Sequence, residues 1–216
     1  HLLLFHPCIK WIRDFMAQGG IGDTLYMNCE RVNLGKVRAD ENAMWSLAPH
    51  DVAVALHLMN SLPSHVAAQG LCYLQRDTGL EDVVFMTLRF PGERAAQIHV
   101  SWLDPHKKRQ LTVIGNRKMI TFDDMQPAEK VRIYDKGIDL IEPDDVPYPS
   151  YSELLTMRQG DITIPHIRMQ EPLRILCEHF IECIETHKQP LTDGRNGVEV
   201  LKVLQAAQQS LQTDGG

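Results

Sequence analysis

The sequence predicts an α+β fold, a large open and predominantly antiparallel β-sheet with helices packed on one face. Two observations carry this. Strand-like segments follow one another from His65 to Tyr134 with connections too short for crossover helices, and such spacing favours hairpins over βαβ units. Amphipathic helical segments stand before and after that series. The 216 residues suffice for one or two domains with a sizeable core.

The elements follow in order. Leu2-Leu3-Leu4-Phe5 is a short apolar run and reads as part of a buried strand. A domain rarely starts inside an element it must bury, so the chain is expected to be part of a larger protein. From His6 to Gln18 the apolar positions Ile9, Ile12 and Met16, widened by Trp11 and Phe15, have helical period, and Gly19-Gly20 ends the helix. From Asp23 to Leu34, Leu25, Met27 and Cys29 alternate with Thr24, Tyr26 and Asn28, the pattern of a strand with one covered face. After the polar stretch 35–42 a second helix is expected to begin between Ser46 and Pro49, with Val52, Ala55, Leu56 and Met59 as its buried stripe. Strands are then expected at His65–Gln75, Val83–Phe90, Arg94–Leu103, Arg109–Ile114, Met119–Phe122 and Val131–Tyr134; Pro91-Gly92 and Gly115-Asn116 supply turn chemistry. Segment 135–170, rich in proline (Pro143, Pro147, Pro149, Pro165), is expected to be mostly irregular. Two helices close the chain. Glu171 or Pro172 opens the first, with a stripe of Leu173, Leu176, Cys177, Phe180, Ile181 and Ile184; Asp193 caps the second, with Val200, Leu204, Ala207 and Leu211.

Composition removes several functions. With 22 basic and 28 acidic side chains the net charge is −6, and the only dense basic run is Lys107-Lys108-Arg109. Neither nucleic acid nor an anionic membrane surface is an expected partner, and no stretch approaches the roughly 18 apolar residues of a membrane span. The five cysteines contain no CxxC pair, which reads as reduced thiols in a cytoplasmic protein. Among ten histidines, His50 and His57 stand seven apart and His179 and His187 eight apart. Neither pair has the spacing of a metal-binding set on one helix, so no metal site is expected and a metal-dependent hydrolase is disfavoured. Gly20-Ile21-Gly22 lacks the third glycine and following helix of a dinucleotide loop and reads as a helix stop and a turn.

Asn42–Asp51 carries the strongest hint of chemistry. Pro49 suits the first turn of a helix, which would put His50 at that helix's mouth. The partial positive charge there disfavours imidazolium, leaving a neutral ring able to accept a proton. A helix-start histidine with no such task fits the same residues. Asp51 could orient the ring or favour the helix dipole. Upstream, Arg31, Asn33, Lys36 and Arg38 could grip a carboxylate, a phosphate or sugar hydroxyls; an ordinary solvated loop reads equally well.

Taken together, Asn33-Leu34-Gly35, Asp40-Glu41-Asn42, Trp45–Asp51, Ser101–Pro105, Glu171-Pro172-Leu173, His179–Ile184 and Thr192–Gly197 resemble the carboxy-terminal part of the Gfo/Idh/MocA oxidoreductases. Within that family the chain is most similar to the branch acting on nucleotide-linked N-acetylated amino sugars, the UDP-N-acetylglucosamine(uronate) 3-dehydrogenase type. The resemblance implies that residues 1–216 form a substrate-binding and oligomerisation domain. Residues 1–5 would be the remnant of the last strand of an amino-terminal Rossmann domain, which holds NAD or NADP, and the helix within 190–216 would pack back on that domain. It implies His50 as the catalytic base, working with a lysine outside this chain. Asn33, Lys36, Arg38, Ser46 and Asp51 would face a sugar or nucleotide-sugar substrate. In the family an aspartate commonly stands four residues before the histidine; here that residue is Ser46. A homo-oligomer through the sheet face is implied, and this chain alone is expected to be inactive. The alternative is a non-catalytic sheet platform for dimerisation or ligand holding.

Overall fold

The structure, a computed structural model, describes residues 1–140 and 155–214. Its centre is an eight-stranded sheet in the order β2-β3-β4-β1-β5-β6-β7-β8. The strands are β1 (Thr24–Val32), β2 (His65–Leu71), β3 (Val83–Phe90), β4 (Arg94–Ser101), β5 (Lys108–Gly115), β6 (Met119–Asp123), β7 (Val131–Leu140) and β8 (Leu155–Thr163). Every neighbouring pair is antiparallel except β1 with β4. The expected α+β architecture, with its open and mainly antiparallel sheet, is what the chain adopts.

One face of the sheet is apolar. Met27, Cys29, Val84, Met86, Ile98, Val100, Leu111, Val113, Ile120 and Val131 are all buried there. Over them lie α2 (Ala43–Met59) and α4 (Gly194–Asp214), which also pack on each other. Helix α2 is apolar nearly all round, as befits a helix enclosed by neighbours: Ala43, Met44, Ala48, Val52, Ala53, Val54 and Ala55 are each at most 3% exposed. The opposite face is mixed, with Tyr26, Asn28, Phe85, His99, Thr112 and Thr121 outward, and Phe85 stacks on His99 at 4.5 Å.

Helix α1 (Pro7–Ala17) is capped by His6, whose Nδ1 accepts the Cys8 N–H at 3.1 Å. It ends at Gly19, φ +75°, and the chain turns into β1 through Gly22, φ +72°. The Gly-Ile-Gly segment is thus a helix stop and turn, as read from sequence.

Four expectations are corrected. Leu2–Phe5 is a 3-10 helix, not a strand. No described strand runs beside it, so local bonds such as His6 N–H to Leu3 O at 3.0 Å satisfy its backbone. Helix α2 starts several residues earlier than expected, because Asn42 Oδ1 accepts the Trp45 N–H at 3.0 Å and caps it. Among the described residues of segment 135–170 most are in strands, since β7 runs on to Leu140 and β8 occupies Leu155–Thr163; Pro143, Pro147 and Pro149 lie outside the described residues.

The fourth concerns the closing helices. If α4 packed on a further domain, as the resemblance implies, part of its stripe Val200, Leu204, Ala207 and Leu211 would lack cover within this chain, yet all four are buried against α2 and β2. The uncovered stripe belongs instead to α3 (Pro172–Thr186), where Leu173, Phe180, Ile181 and Ile184 are each more than half exposed.

Candidate functional site

Where β1 ends and β5 begins beside α2, their side chains enclose a hollow of about 230 Å³. Its walls are Arg31, Val32 and Asn33 from the end of β1, Ser46, Leu47 and His50 from α2, Lys108 and Arg109 from β5, and Leu2 and Leu3. Ser46 and His50 share a wall because residues four apart on a helix lie one turn above each other.

His50 is open to solvent on one side, yet its pKa lies below the ordinary 6.5. Burial by the surrounding walls is the main cause and the Arg31 charge the next; Asp51 opposes them, and the chain's amino terminus and Arg109 add smaller pushes in the same downward direction. The imidazole is therefore neutral near pH 7, as expected from sequence, but for a different reason. With α2 beginning at Ala43, Pro49 is inside the helix and His50 is two turns from its start, beyond the reach of the helix-end field. The low-dielectric wall and the neighbouring guanidinium replace that effect.

The other expected residues separate. Asn33 and Ser46 line the hollow with His50. Asp51 does not: it is 6% exposed, and Arg31 Nε and Nη2 donate to its two oxygens at 2.6 and 3.1 Å. This buried, two-pronged pair engages both oxygens of the carboxylate and ties the β1 end to α2 beside His50. Lys36 and Arg38 are exposed on the loop beyond β1 and absent from the walls. Arg38 instead pairs with Glu41 at 3.1 Å, and its carbonyl accepts from Gln75 Nε2. Sequence reasoning did not place Lys108 and Arg109 at the site; their only signal was the basic run itself.

Other groups are less suited to chemistry. His57 lies against Arg13 at 3.3 Å, and burial together with that charge lowers its pKa to about 4. Cys8 and Cys29 are buried free thiols; burial pushes Cys8 up to about 11 and Cys29 well above its ordinary value, which makes both poor nucleophiles. Among the described residues no group of three His, Cys, Asp or Glu is placed to hold a metal, and no helix is long and apolar enough to cross a membrane.

The sequence that builds this arrangement, a mainly antiparallel sheet with α2 laid over its single parallel pair, matches a known family model. Residues 9–121, just over half of the chain, match the GFO/IDH/MocA C-terminal domain. The chain belongs to that family. Among curated proteins no sequence matches. Solved structures share the fold: UDP-N-acetylglucosamine 3-dehydrogenase GnnA from Acidithiobacillus ferrooxidans superposes with a TM-score of 0.70 at 21% identity, over 98% of this chain and 61% of that one. An aldose-aldose oxidoreductase from Caulobacter crescentus, complexed with glycerol, gives 0.71 at 15% identity over 100% and 61%. An oxidoreductase from Agrobacterium radiobacter, in complex with NAD+, L-tartaric acid and magnesium, gives 0.71 at 12% over 99% and 62%. The chain thus spans about three fifths of the length of each.

Proposed function

We propose that this chain is the substrate-holding part of an NAD(P)-dependent oxidoreductase acting on a hydroxyl of a sugar or nucleotide sugar, with His50 as the base. The observation that carries this reading is the neutral imidazole on the wall of an open hollow, beside the amide of Asn33 and the hydroxyl of Ser46. Family membership and the dehydrogenase relatives support it. As a carbinol is oxidised, its O–H proton passes to the unprotonated nitrogen of His50 while Asn33 and Ser46 hold neighbouring hydroxyls. A nicotinamide cofactor supplies the hydride acceptor. This chain has no glycine-rich phosphate cradle, so its residues would meet that cofactor only from the substrate side, and the dinucleotide would be held by residues outside it. The uncovered stripe of α3 suits the docking of such a further part, and the mixed outer face of the sheet suits a homo-oligomer.

Ser46 favours a second reading, the non-catalytic platform. A hydroxyl one turn before His50 can hydrogen-bond but supplies no charge to steady an imidazolium. One experiment separates the two. The complete protein is mixed with NAD(P) and a panel of sugars and nucleotide sugars, and reduced cofactor is followed by absorbance. Turnover is expected, and His50→Ala should slow it about 10²-fold or more. Absence of turnover across the panel, or an unimpaired His50→Ala protein, would favour the platform.

A further inference from the structure

Lys107-Lys108-Arg109 is the densest basic run of the chain, and proton transfer at His50 makes no use of it. The start of β5 brings Lys108 and Arg109 to the wall of the His50 hollow, where their surroundings differ. Lys108 Nζ donates to Glu30 Oε1 at 3.2 Å and lies 3.9 Å from Asp104, so its charge is matched twice. Arg109 stands directly opposite Arg31 in the register of β1 with β5, and like charges placed opposite each other on neighbouring strands repel. Arg31 is compensated by both oxygens of Asp51. Arg109 has Asp124 at 3.7 Å, beyond hydrogen-bond distance, and Asp124 already serves Lys130 at 3.3 Å and His6 at 3.6 Å. The Arg109 side chain is 42% exposed and has a fork of five N–H donors to offer.

We propose that Arg109 recognises an oxyanion group, a carboxylate or a phosphate ester, carried by the substrate whose hydroxyl faces His50. The proposal rests on the oxidoreductase reading and names the class of substrate for that site. Arg109, Leu2 and Leu3 also line a neighbouring hollow of about 530 Å³, whose walls carry Lys130 and His6 together with the carboxylates Asp124 and Glu171. At about 230 Å³ the His50 hollow is smaller than the roughly 300–1,000 Å³ of ordinary ligand sites; joined to its neighbour across Arg109 it comes within that range. A ligand with its carbinol at His50 would lay its acidic group on Arg109, the cation of this wall not held by a hydrogen-bonded carboxylate, since Lys130 is engaged by Asp124 at 3.3 Å. The guanidinium fork matches two oxygens of a carboxylate or phosphate at once, whereas a neutral hydroxyl engages one N–H and leaves the charge unmatched.

The test uses the complete protein with isotope-labelled histidine and reads the His50 titration by NMR, with D-glucuronate, D-glucose 1-phosphate or D-glucose added. A bound oxyanion near the ring favours imidazolium, so at least one of the two anions should raise the His50 midpoint at a concentration 10-fold or more below any effect of glucose. Whichever of them acts at the lower concentration identifies the group as carboxylate or phosphate. Arg109→Gln should weaken that response by about 10–100-fold, and Arg109→Lys should retain part of it. Glucose acting as well as the anions, no response to any of the three, or an anion response surviving in Arg109→Gln would overturn the proposal. Turnover is read separately. Anion binding through Arg109 without turnover of any substrate would leave this assignment standing and remove the oxidoreductase reading; turnover of a neutral sugar, indifferent to Arg109→Gln, would do the reverse.

Discussion

Arg31 and Asp51 show how one buried pair can serve a neighbouring site. Both side chains are nearly sealed from solvent, and their contact is two-pronged. Removing one partner strands the other charge in a low-dielectric wall. Asp51→Ala is therefore expected to lower folding stability by about 3–5 kcal/mol in urea unfolding, whereas Lys36→Ala, on the exposed loop, should stay within about 0.5 kcal/mol. Equal effects of the two would contradict the placement of Asp51. The pair also explains which part of the site sequence could reveal. His50 stood out by its residue type and context, Asn33 by the donor-rich stretch at the end of β1, and Ser46 only by the family resemblance. A contact between positions 31 and 51 leaves no periodic mark, so from its residues Asp51 read as an orienter of His50 or a partner of the helix dipole, and the resemblance placed it facing the substrate. The gathering of Arg109 onto the same wall depends on the pairing of β5 with β1 and is equally invisible to local pattern.

At the scale of elements, α2 is the part on which the site depends, and its start is fixed by Asn42. Besides capping Trp45, Asn42 Nδ2 donates to Glu81 at 2.7 Å and to Gln208 at 3.2 Å, and Gln208 also accepts from the Trp45 indole at 2.9 Å. Asn42→Ala should cost about 1–2 kcal/mol and reduce helix content by circular dichroism; no change in either would mean that the cap is redundant. Pro49 hid this start. A proline suits the first turn, but here the enclosed helix tolerates it in the interior despite a penalty of about 3 kcal/mol. The strands from Val83 to Tyr134 were legible because one face is buried and the other is not, which writes a period of two into the sequence. Strand β8 was not legible. It pairs only with β7, and Met157 and Ile162 are 75% and 51% exposed, so burial imposes no alternation on it. The α4 stripe was legible as a buried face, but periodicity does not tell what covers it, and the cover proved to be α2 and β2.

For the whole molecule, the uneven cover of its helices has a consequence. Helix α3 touches the 3-10 helix, where Phe5 meets His179 at 5.4 Å, while Leu173, Phe180, Ile181 and Ile184 remain open. Contiguous exposed apolar side chains promote association. A solution of residues 1–216 alone should self-associate in sedimentation velocity, and Phe180→Ser with Ile184→Ser should shift it toward monomer with little loss of stability, because neither side chain is buried. Association unchanged by these substitutions would exclude α3 as the cause. The family fold, the helix-covered sheet and the neutral imidazole then meet in a single observable, the pH dependence of kcat/KM in the complete protein. A base whose pKa is lowered is active above that pKa and is lost as protonation sets in below it. The profile should stay level from neutral pH down past 6.5 and fall only on an acidic limb below it, and that limb should vanish in His50→Gln along with most of the rate. A limb centred at or above 6.5, or one that persists in His50→Gln, would contradict His50 as the neutral base of this site.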